Sequence, residues 1–454
     1  MRELVVELKT ELGDQEVSPQ KFQAPRGTRD FFGPLERARR RVLSVLKKNF
    51  ELYGFEPLET PAFENWEVLS AKYAGGEEIL KESYSFEDQG GRKLGLRYDL
   101  TVPFARFFAS NPNLPKPFKR YAIGSVWRDG PLKAGRWREF VQCDVDTAGV
   151  ASMKADAEIL ALTCAAFAEL GVGFKIKLNN RKLLQAMVEK SGVASDKVLS
   201  AIISLDKLEK IGWQGVEKEL LGKRVCGEKQ LVELKKLFTL EEKDFEKELG
   251  GLPGYSEIKE LLEICRKMGV GRYLVFTPSL ARGLNYYTGS IFEAFLENGE
   301  KLGVTSSIAA GGRYDDMVGN FLNEASGREE KIPTVGISFG LDVLCEALAR
   351  LSPDEEGVKF SDSVCRVFVI PIAEEEFSLE VVQGLRKQGV PSAIDLLARG
   401  LSKNIEYASK QGIPFVAFVG KQEAQMRKLK LRDLRSGEEK LLGVQEAAAI
   451  VYKE

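Results

Sequence analysis

The stretch from Phe55 to Ala148 restricts the fold of this chain more than any other, because short apolar runs alternate there with Pro and Gly. The runs include YSFED, KLGLRYDL, KRYAIGSVWRD and REFVQCDVDTAG. Apolar runs of this length, bounded by turn residues, are typical of β-strands. The stretch therefore predicts an antiparallel sheet rather than alternating βαβ units.

Helical patterns lie on both sides of this stretch. From Gly33 to Gly54 apolar residues recur at near-helical spacing, which predicts an amphipathic helix that ends at Gly54. A second helix is predicted from Met153 to Leu170, and the Lys-, Glu- and Leu-rich block from residue 179 to about 268 has the pattern of an all-α insertion. Strand-like segments return at RYLVF, SIFEAFL and TVGISFG.

The last part of the chain follows an acidic, proline-containing linker, LSPDEEGVKFSD. Beyond it strands and helices alternate: VCRVFVIPI, FSLEVVQGLRKQG, PSAIDL, SKNIEYASKQG and PFVAFVG. This alternation predicts an α/β domain of about 90 residues, and the linker is the predicted domain boundary.

The 454 residues include no histidine, and this absence excludes whole classes of mechanism. Ser-His-Asp and Cys-His catalysis are impossible, and no side chain titrates near neutral pH unless its pKa is strongly shifted. The six cysteines lie far apart, without a CxxC pair: Cys143, Cys164, Cys226, Cys265, Cys345 and Cys365. Free buried thiols are therefore the favoured interpretation, and no metal site is expected from His or Cys ligands.

Charge is balanced overall but not locally. Lys and Arg number 66 against 67 Asp and Glu, a net charge of −1 that excludes a globally basic nucleic-acid binder. Between Lys421 and Arg435, however, six basic residues stand against two acidic ones. Such a segment is expected on a face that follows an RNA backbone, and a solvated charged hairpin is the alternative.

No targeting or membrane signal is apparent. The opening MRELVVELKT lacks the apolar core of a signal peptide, and no apolar run reaches 18 residues. We therefore expect a cytoplasmic protein with no membrane partner.

The segment KRYAIGSVWRDGPLKAGRWREFVQCDVDTAG, residues 119–149, is the most informative for chemistry. Two strand-like runs flank a loop, with Arg128 at the end of the first run and Arg136 and Arg138 where the loop closes. Rigid guanidinium groups in this arrangement suit the phosphates of a nucleoside triphosphate. A hairpin with surface ion pairs is the alternative.

The whole segment closely resembles motif 2 of class II aminoacyl-tRNA synthetases, in the form found in the histidyl-tRNA synthetase family. Further peptides resemble that family in the expected order: PRGTRDFFG, LGLRYDLT, NNRKLL, LARGLNYYTGSIFE, AAGGRYDDMVG and KLRDLRSGEEK. The resemblance covers nearly everything from about residue 22 to the end, and several ordered peptides are far more specific than one.

The resemblance implies an α+β catalytic core built on an antiparallel sheet, class II synthetase-like, with an all-α insertion and a C-terminal α/β domain. The expected parts are an N-terminal arm at 1–21, the first part of the core at 22–178, the helical insertion at 179–270, the second part of the core at 271–351, the linker at 352–363 and the anticodon-binding domain at 364–454.

The resemblance also assigns roles to individual residues. The expected catalytic residues are Arg282 and Arg128, and the expected ATP-binding residues are Arg128, Arg136, Gln142 and Arg282. The expected histidine-binding residues are Asp99, Thr101, Gln142, Asp146, Tyr286, Tyr287 and Tyr314. From the residues alone, Asp99 could instead cap a helix, Tyr287 could be a core aromatic side chain, and Arg282 could pair with a nearby acid.

Such a pocket suits histidine as a substrate. A carboxylate and a phenol can hold the two nitrogens of an imidazole, while a rival ring without them leaves buried polar groups unpaired. The implied reaction joins L-histidine to its tRNA through histidyl-adenylate, with ATP as substrate and Mg2+. It needs no enzyme histidine, because the attacking carboxylate is already deprotonated and the protein supplies alignment and positive charge.

Three positions depart from the family pattern. Val343 stands where motif 3 commonly has an ATP-binding Arg, Asp146 where a longer Glu is usual, and Asn285 where Asp is usual. Valine cannot bind phosphate. Either Arg313 or Arg328 replaces the missing cation, or ATP binding is weakened, or the chain is a catalytically idle regulatory relative that controls histidine biosynthesis.

The partners implied by the resemblance are tRNA(His), L-histidine, ATP and a second copy of the chain. The TPAFENWEV segment is similar to the dimerisation motif 1 of the family, so we expect a homodimer. The residues expected to contact tRNA lie in the basic segment: Arg427, Lys428, Lys430 and Arg432.

Overall fold

The structure is a computed structural model, and it describes residues 23–72, 74, 77–132, 137–281, 287–327, 330–351 and 363–452. The chain forms two compact units. One contains the residues up to Asp30 together with Val45–Arg350, and the other contains Phe31–Ser44 and the chain from Leu351 onward.

Eleven strands are described before residue 351. They are β1 (Glu56–Pro57), β2 (Phe63–Asn65), β3 (Ser85–Glu87), β4 (Lys93–Leu96), β5 (Phe118–Trp127), β6 (Glu139–Ala148), β7 (Phe174–Asn180), β8 (Leu274–Phe276), β9 (Ser290–Leu296), β10 (Ala309–Arg313) and β11 (Thr334–Gly340). Eight of them form one sheet in the order β1-β5-β6-β11-β10-β9-β7-β8, and the others form a small sheet in the order β2-β4-β3.

The large sheet is antiparallel at its centre and parallel at both ends. Every pairing from β5 to β7 in the sheet order is antiparallel, whereas β1 pairs with β5 and β8 with β7 in parallel. The predicted antiparallel sheet is therefore present, with parallel edges that the residue pattern did not indicate. The runs YSFED and KLGLRYDL belong to the separate small sheet.

Helices occupy much of the rest of the chain up to Arg350. They are α1 (Gly33–Leu52), α2 (Trp66–Leu69), α3 (Glu77–Lys81), α4 (Thr101–Ala109), α5 (Met153–Glu169), α6 (Arg181–Lys190), α7 (Val198–Leu205), α8 (Leu208–Gly222), α9 (Glu228–Phe238), α10 (Phe245–Leu249), α11 (Tyr255–Lys267), α12 (Gly299–Leu302), α13 (Met317–Ser326) and α14 (Leu341–Arg350). Among the described residues, no helix is long and apolar enough to cross a membrane.

One face of the large sheet is apolar and packs on helices. Cys143 of β6 and Phe339 of β11 are register partners on this face. The ring of Phe339 lies 5.5 Å from those of Phe50 in α1 and Phe167 in α5, centroid to centroid. Because side chains alternate along a strand, Arg120 of β5, Asp144 and Asp146 of β6 and Ser338 of β11 lie on the other face.

The helices α6 to α11 share a second apolar core. Its buried side chains include Leu184 of α6, Val216 of α8, Leu234 of α9 and Tyr255 of α11. Ile291 of β9 belongs to the same cluster, so this helical block packs against the large sheet.

The C-terminal unit has a five-stranded sheet in the order β13-β12-β14-β15-β16. Its elements are β12 (Val367–Ile372), α15 (Glu375–Lys387), β13 (Ser392–Ile394), α16 (Leu401–Lys410), β14 (Phe415–Gly420), α17 (Lys421–Gln425), β15 (Leu429–Asp433), β16 (Glu439–Leu442) and α18 (Val444–Tyr452). The five predicted elements appear in their predicted order. The hairpin β15-β16 extends the parallel strands with antiparallel pairs.

The six cysteines form no disulfide, and four of them are buried. Cys226 and Cys365 are partly exposed. Burial raises the pKa of Cys164 and of Cys265 to about 12. These two thiols therefore stay protonated and behave as small apolar side chains.

Candidate functional site

Three neighbouring strands of the large sheet carry polar side chains on its second face. Arg120 of β5 is the register partner of Asp146 of β6, and Asp146 is the partner of Gly336 of β11. Since Asp144 and Gln142 follow Asp146 at intervals of two residues along β6, all three share one face. We call this face, with its residues Arg120, Gln142, Asp144, Asp146 and Ser338, the polar face.

Asp146 is buried, and two partners hold its carboxylate. The Nη2 atom of Arg120 lies 2.6 Å from Oδ2 of Asp146, and the phenol of Tyr314 donates a hydrogen bond to Oδ1. Burial raises the pKa of Asp146, and the Arg120 guanidinium opposes that shift. Burial and the adjacent carboxylate raise the pKa of Tyr314 well above its usual value. Two residues predicted to bind histidine are thus in direct contact.

Two glycines make room beside these groups. A Cβ atom at Gly336 would overlap with Oδ1 of Asp146, and one at Gly312 would lie 3.0 Å from a ring carbon of Tyr287. Gly312 and Gly336 are register partners on β10 and β11. Asp146, Gly336 and Gly312 are therefore neighbours across three adjacent strands, and the Tyr287 ring lies beside the last of them. This placement is consistent with one histidine site that contains both Asp146 and Tyr287.

Asp99 and Thr101 lie at the N-terminal end of α4. The Asp99 carboxylate accepts a hydrogen bond from the Val102 amide at 3.0 Å and another from the Thr101 amide. Asp99 therefore caps the helix, which was the alternative that the residue pattern left open. Burial raises the pKa of Asp99, and these hydrogen bonds and the nearby Arg128 oppose the shift. A carboxylate has about four lone-pair sites, so capping leaves room for a substrate donor.

Gln142 and Asp144 both contact Ser338 on the adjacent strand. Gln142 Nε2 lies 3.1 Å from Ser338 Oγ, and the Ser338 hydroxyl is hydrogen-bonded to the Asp144 carboxylate. Burial raises the pKa of Asp144 to about 7, Arg120 opposes the shift, and Asp146 adds to it. The Oε1 atom of Gln142 and the Oδ1 atom of Asp144 are buried and have no hydrogen-bond partner within the described ranges.

Sequence reasoning missed Asp144 and Arg120. In REFVQCDVDTAG the alternation Gln142, Asp144, Asp146 puts three polar side chains on one face once the run is assigned to a strand, and that signal could have identified Asp144. Arg120 has no such signal, because the sequence does not tell which of Lys119 and Arg120 is buried.

Arg128, predicted to bind ATP, lies just beyond the end of β5. Its Nε atom donates to the Tyr98 carbonyl at 2.9 Å, and its guanidinium lies 5.2 Å from the ring centroid of Phe140. Its backbone amide donates to the Arg138 carbonyl at 2.8 Å, which ties together the two sides of the hairpin. Arg128 is half-buried and close to Asp99, so the structure brings these two predicted site residues together.

Several predicted residues lie outside the described residues: Arg136, Arg282, Asn285, Tyr286 and Arg328. The chain on either side of 282–286 is nevertheless anchored. Asn179 donates from Nδ2 to the carbonyls of Pro278 and Leu280 at 2.8 and 3.0 Å, and the Arg181 amide donates to the Gly289 carbonyl at 2.7 Å. The NNRKLL peptide thus holds both ends of the segment that contains Arg282.

The N-terminal end of α14 carries Val343, where the sequence departs from the family pattern. Arg313, one of the two proposed replacement cations, is 2% exposed. It is paired with Asp156 and with Asp315, the latter at 3.3 Å. It therefore does not replace the missing arginine, because its charge is already neutralised within the core.

A different arginine lies beside this position. The Nη2 atom of Arg29 is 3.0 Å from Oδ1 of Asp342, the residue before Val343. The guanidinium of Arg29 also lies 4.3 Å from the ring centroid of Trp137, and Asp342 Oδ2 accepts a long hydrogen bond of 3.4 Å from the Val141 amide. Sequence reasoning missed Arg29 because more than 300 residues separate it from Asp342 along the chain.

The predicted tRNA-contacting residues lie in the C-terminal unit, on β15 and in the turn between α17 and β15. Arg427 is paired with Glu380 at 2.6 Å and Arg432 with Glu439 at 3.7 Å. Lys428 is exposed and Lys430 is half-buried. Neither lysine has an ion-pair partner within 4 Å among the residues that the structure describes. We use the name basic face for Arg427, Lys428, Lys430 and Arg432 together: Arg427 packs on Phe377 of α15, whereas Lys430 and Arg432 lie on the side of β15 opposite Leu429 and Leu431.

Two family models match the chain. The model described as histidyl-tRNA synthetase matches residues 27–344, and the model described as anticodon binding domain matches residues 366–454. The first contains the whole polar face, and the second contains the basic face.

Curated proteins and solved structures agree with these matches. Histidine–tRNA ligase 1 of Bacillus cereus is 40% identical over 421 residues, which is 91% of this chain and 93% of that protein. Histidine–tRNA ligase of Aeropyrum pernix is 39% identical over 438 residues, covering 94% and 97%. The crystal structure of histidyl-tRNA synthetase from Nostoc sp. PCC 7120 superposes with a TM-score of 0.81 at 31% identity, covering 96% of this chain and 99% of that one.

A further structure bears on the regulatory alternative. It is titled as an ATP phosphoribosyltransferase regulatory subunit/histidyl-tRNA synthetase from Bacillus halodurans C, and it superposes with a TM-score of 0.72 over 89% of this chain. Its sequence is only 21% identical. That likeness therefore concerns the fold alone.

Proposed function

The chain belongs to the histidyl-tRNA synthetase family, and from this premise we propose how its residues divide the work of a histidine–tRNA ligase. The enzyme joins L-histidine to tRNA with ATP in two steps. Histidine and ATP give histidyl-adenylate and pyrophosphate, and the histidyl group then passes to a ribose hydroxyl of the tRNA with release of AMP. The contact among Asp146, Arg120 and Tyr314 is the observation that best supports a histidine pocket on the polar face.

The imidazole of the substrate is read by Asp146, Tyr287 and Tyr314, with Tyr286 as a further candidate. Arg120 and Tyr314 both favour the ionised form of the buried Asp146 against the effect of burial, and Tyr314 fixes the orientation of its carboxylate. A side chain without ring nitrogens would leave this buried carboxylate without its substrate donor, a loss that discriminates strongly against such rivals.

The α-ammonium of histidine is held by Asp99, Thr101 and Gln142. Asp99 is held in place by two amide hydrogen bonds, and the Oε1 atom of Gln142 is buried without a partner in the described part of the chain. Both groups are acceptors, which suits an ammonium donor.

Activation is an in-line attack of the histidine carboxylate on the α-phosphate of ATP. Arg128 and Arg282 carry the positive charge that stabilises the developing charge on that phosphate, and Arg136 binds the triphosphate tail. Mg2+ bound together with ATP would neutralise part of the phosphate charge. One carboxylate with phosphate oxygens is a ligand set that Mg2+ accepts, and Asp342 at the N-terminal end of α14 would supply that carboxylate.

Arg29 is the cation that we assign to the ATP tail in place of an arginine at position 343. Its side chain is 25% exposed, so it remains accessible to a phosphate. It lies beside Asp342 and Trp137, where β6 and α14 begin. Arg29 pairs with Asp342 in the free protein and, in this proposal, also donates to the nucleotide, since a guanidinium carries five N–H donors.

The C-terminal unit binds the anticodon end of the tRNA through the basic face. Lys428 and Lys430 are the strongest candidates, because the other two cations of this face already have carboxylate partners. These residues contribute attraction to phosphate and carry no information about base sequence.

The domain limits stated from the sequence, including the helical insertion at 179–270, remain part of this proposal, as do the cytoplasmic location and the homodimer. For the dimer, Phe63 and Phe86 on the small sheet support the idea, since their rings are 6.3 Å apart and both side chains are exposed. A second copy would cover this aromatic pair.

The regulatory alternative finds no support in the comparisons, since the relatives at about 40% identity are named as ligases. The direct test is histidine-dependent exchange of pyrophosphate into ATP, followed by charging of the cognate tRNA. We expect both activities with histidine and neither with other amino acids. Folded protein without exchange would contradict the proposed function.

A further inference from the structure

Asp144 lies between the two predicted halves of the histidine site. On β6 it is flanked, two residues away on either side, by Gln142 at the ammonium end and Asp146 at the imidazole end. Its side chain is 3% exposed, and its Oδ1 atom is buried with no hydrogen-bond partner in the described part of the chain. A buried carboxylate oxygen in this state is costly unless a ligand donates to it.

The charged groups around Asp144 leave its carboxylate without an ion pair among the described residues. The charged groups that act on it are Arg120 on β5, Arg97 after β4, Asp146 on its own strand and Asp99 from the segment before α4, while Ser338 on β11 contributes a hydroxyl. Arg120 is already paired with Asp146 at 2.6 Å. Arg97 donates to backbone carbonyls, so neither guanidinium pairs directly with Asp144, and a cationic group of the substrate would supply that partner.

Of the two nitrogen-bearing parts of histidine, only the α-ammonium is a permanent cation at neutral pH, because a free imidazole is largely neutral there. Resting on the proposed function, we propose that Asp144 is a further substrate-binding residue, whose Oδ1 atom accepts a hydrogen bond from the α-ammonium of bound histidine.

Proton release follows from this contact. Burial raises the pKa of Asp144 to about 7, so the free protein near that pH holds a proton there in part of the population. A cation placed against the carboxylate lowers its pKa, and the proton leaves. Binding of an ammonium ligand is therefore coupled to release of a fraction of a proton from Asp144.

The test compares three ligands with the wild-type full chain and with Asp144→Asn by isothermal titration calorimetry at pH 7.5. Histidine and histidinol carry the ammonium, and 3-(imidazol-4-yl)propanoate carries the imidazole without it. We expect the substitution to raise the Kd of histidine and of histidinol by about ten- to hundredfold, the usual contribution of a charge-assisted hydrogen bond. The Kd of the propanoate should remain nearly unchanged. Equal losses for all three ligands, or no loss for histidine, would overturn the inference.

A second readout counts protons. Titrations of histidinol in two buffers of different ionisation enthalpy give the number of protons released, and the wild type should release more than Asp144→Asn. Protons that the imidazole of the ligand exchanges on binding contribute equally to the counts for both proteins. The difference in proton release between them therefore comes from Asp144. Equal proton release would contradict the inference.

Two controls separate binding from folding. Thr147→Val changes a buried side chain on the opposite face of the same strand, and it should leave the affinity for all three ligands unchanged. If Asp144→Asn folds poorly, Asp144→Ala repeats the comparison with the group removed. If the wild-type protein binds no histidine, the proposed function itself is refuted. The wild-type titration alone distinguishes that outcome from a failure of the inference about Asp144.

Discussion

The polar face and the basic face use charged side chains in opposite ways. On the polar face Arg120 and Asp146 have side chains only 0% and 4% exposed, and their Nη2 and Oδ2 atoms are 2.6 Å apart. On the basic face the Arg427 and Glu380 side chains are 70% and 48% exposed at the same separation. Water screens the second pair and not the first, so only the first fixes the position of its partners strongly.

The difference implies different sensitivities to substitution. A buried charge whose partner is removed remains buried and uncompensated, so a single change on the polar face has large effects. An exposed charge returns to water, and only the sum of several such charges matters for attraction to a polyanion. The polar face should therefore respond to atomic detail and the basic face to total charge.

The largest effect is expected from Asp146→Ala, which leaves Arg120 buried without its carboxylate. We expect a loss of about 3–5 kcal/mol in the free energy of unfolding, typical of breaking a buried ion pair, together with loss of histidine binding. Urea unfolding and calorimetry measure the two effects. The double variant Arg120→Met with Asp146→Leu should regain stability without regaining histidine binding, and recovery of binding would contradict the role of Asp146.

Next in size is Gly336→Ala, which places a methyl group where Oδ1 of Asp146 now lies. The carboxylate must move away from Tyr314, and we expect the kcat/KM for histidine in pyrophosphate exchange to fall by about a hundredfold, as for other small displacements of a binding group. Gly327→Ala is unsuitable as a control, because Gly327 has a φ of 68° and alanine adopts this left-handed conformation only with strain. Gly222→Ala meets no atom within 4 Å and should leave kcat/KM unchanged.

Arg29→Ala tests the cation beside Val343. We expect the KM for ATP to rise about tenfold, the usual worth of one charge-assisted contact to phosphate, with little change in the KM for histidine. Adding Val343→Arg to this variant should recover part of the ATP affinity. An unchanged KM for ATP in Arg29→Ala would exclude Arg29 from the nucleotide site.

The effect of Asp144 on stability depends on pH with a definite sign. Its pKa is raised from 3.8 in the unfolded chain to about 7 in the folded one, so stability is lost as pH rises between these values and the full cost is present above about 7. Asp144→Asn removes that cost. Thermal unfolding should show a larger gain for the variant at pH 8 than at pH 5, and a gain that shrinks at higher pH would contradict the assignment.

The smallest change per residue is expected on the basic face. Lys428→Ala together with Lys430→Ala should weaken tRNA charging and spare pyrophosphate exchange. The slope of log affinity against log salt concentration for tRNA should fall by about 1–2, since each lysine that binds a phosphate contributes one unit or less. Equal loss of both activities would show that these lysines do not act by binding the tRNA.

Local patterns in the sequence predicted the sheet, the helix α1 and the five alternating elements of the C-terminal unit. These elements depend on periodicity and turn residues, which are local properties. The parallel edges β1 and β8 could not be predicted in this way. They depend on pairing between segments that are far apart in sequence, such as Ile176 with Leu274.

The site shows the same division. Asp146, Tyr314 and Tyr287 were identified from family peptides, and the structure brings them to one row of the sheet. Arg120 and Arg29 were missed, because their partners Asp146 and Asp342 are distant in the chain and burial decides which arginines matter. Arg313 was one of the alternatives considered as a replacement cation, and its pairing with Asp156, which argues against that role, appears only in the fold.

One measurement tests the contrast between the two faces most directly: the salt dependence of two constants in the same wild-type protein. We predict that the KM for histidine in pyrophosphate exchange, at saturating ATP, changes little between about 50 and 200 mM salt, because the charges that meet histidine are buried. The kcat/KM for tRNA in charging should fall steeply over the same range. A KM for histidine that rises as steeply as the tRNA constant falls would contradict a buried histidine pocket.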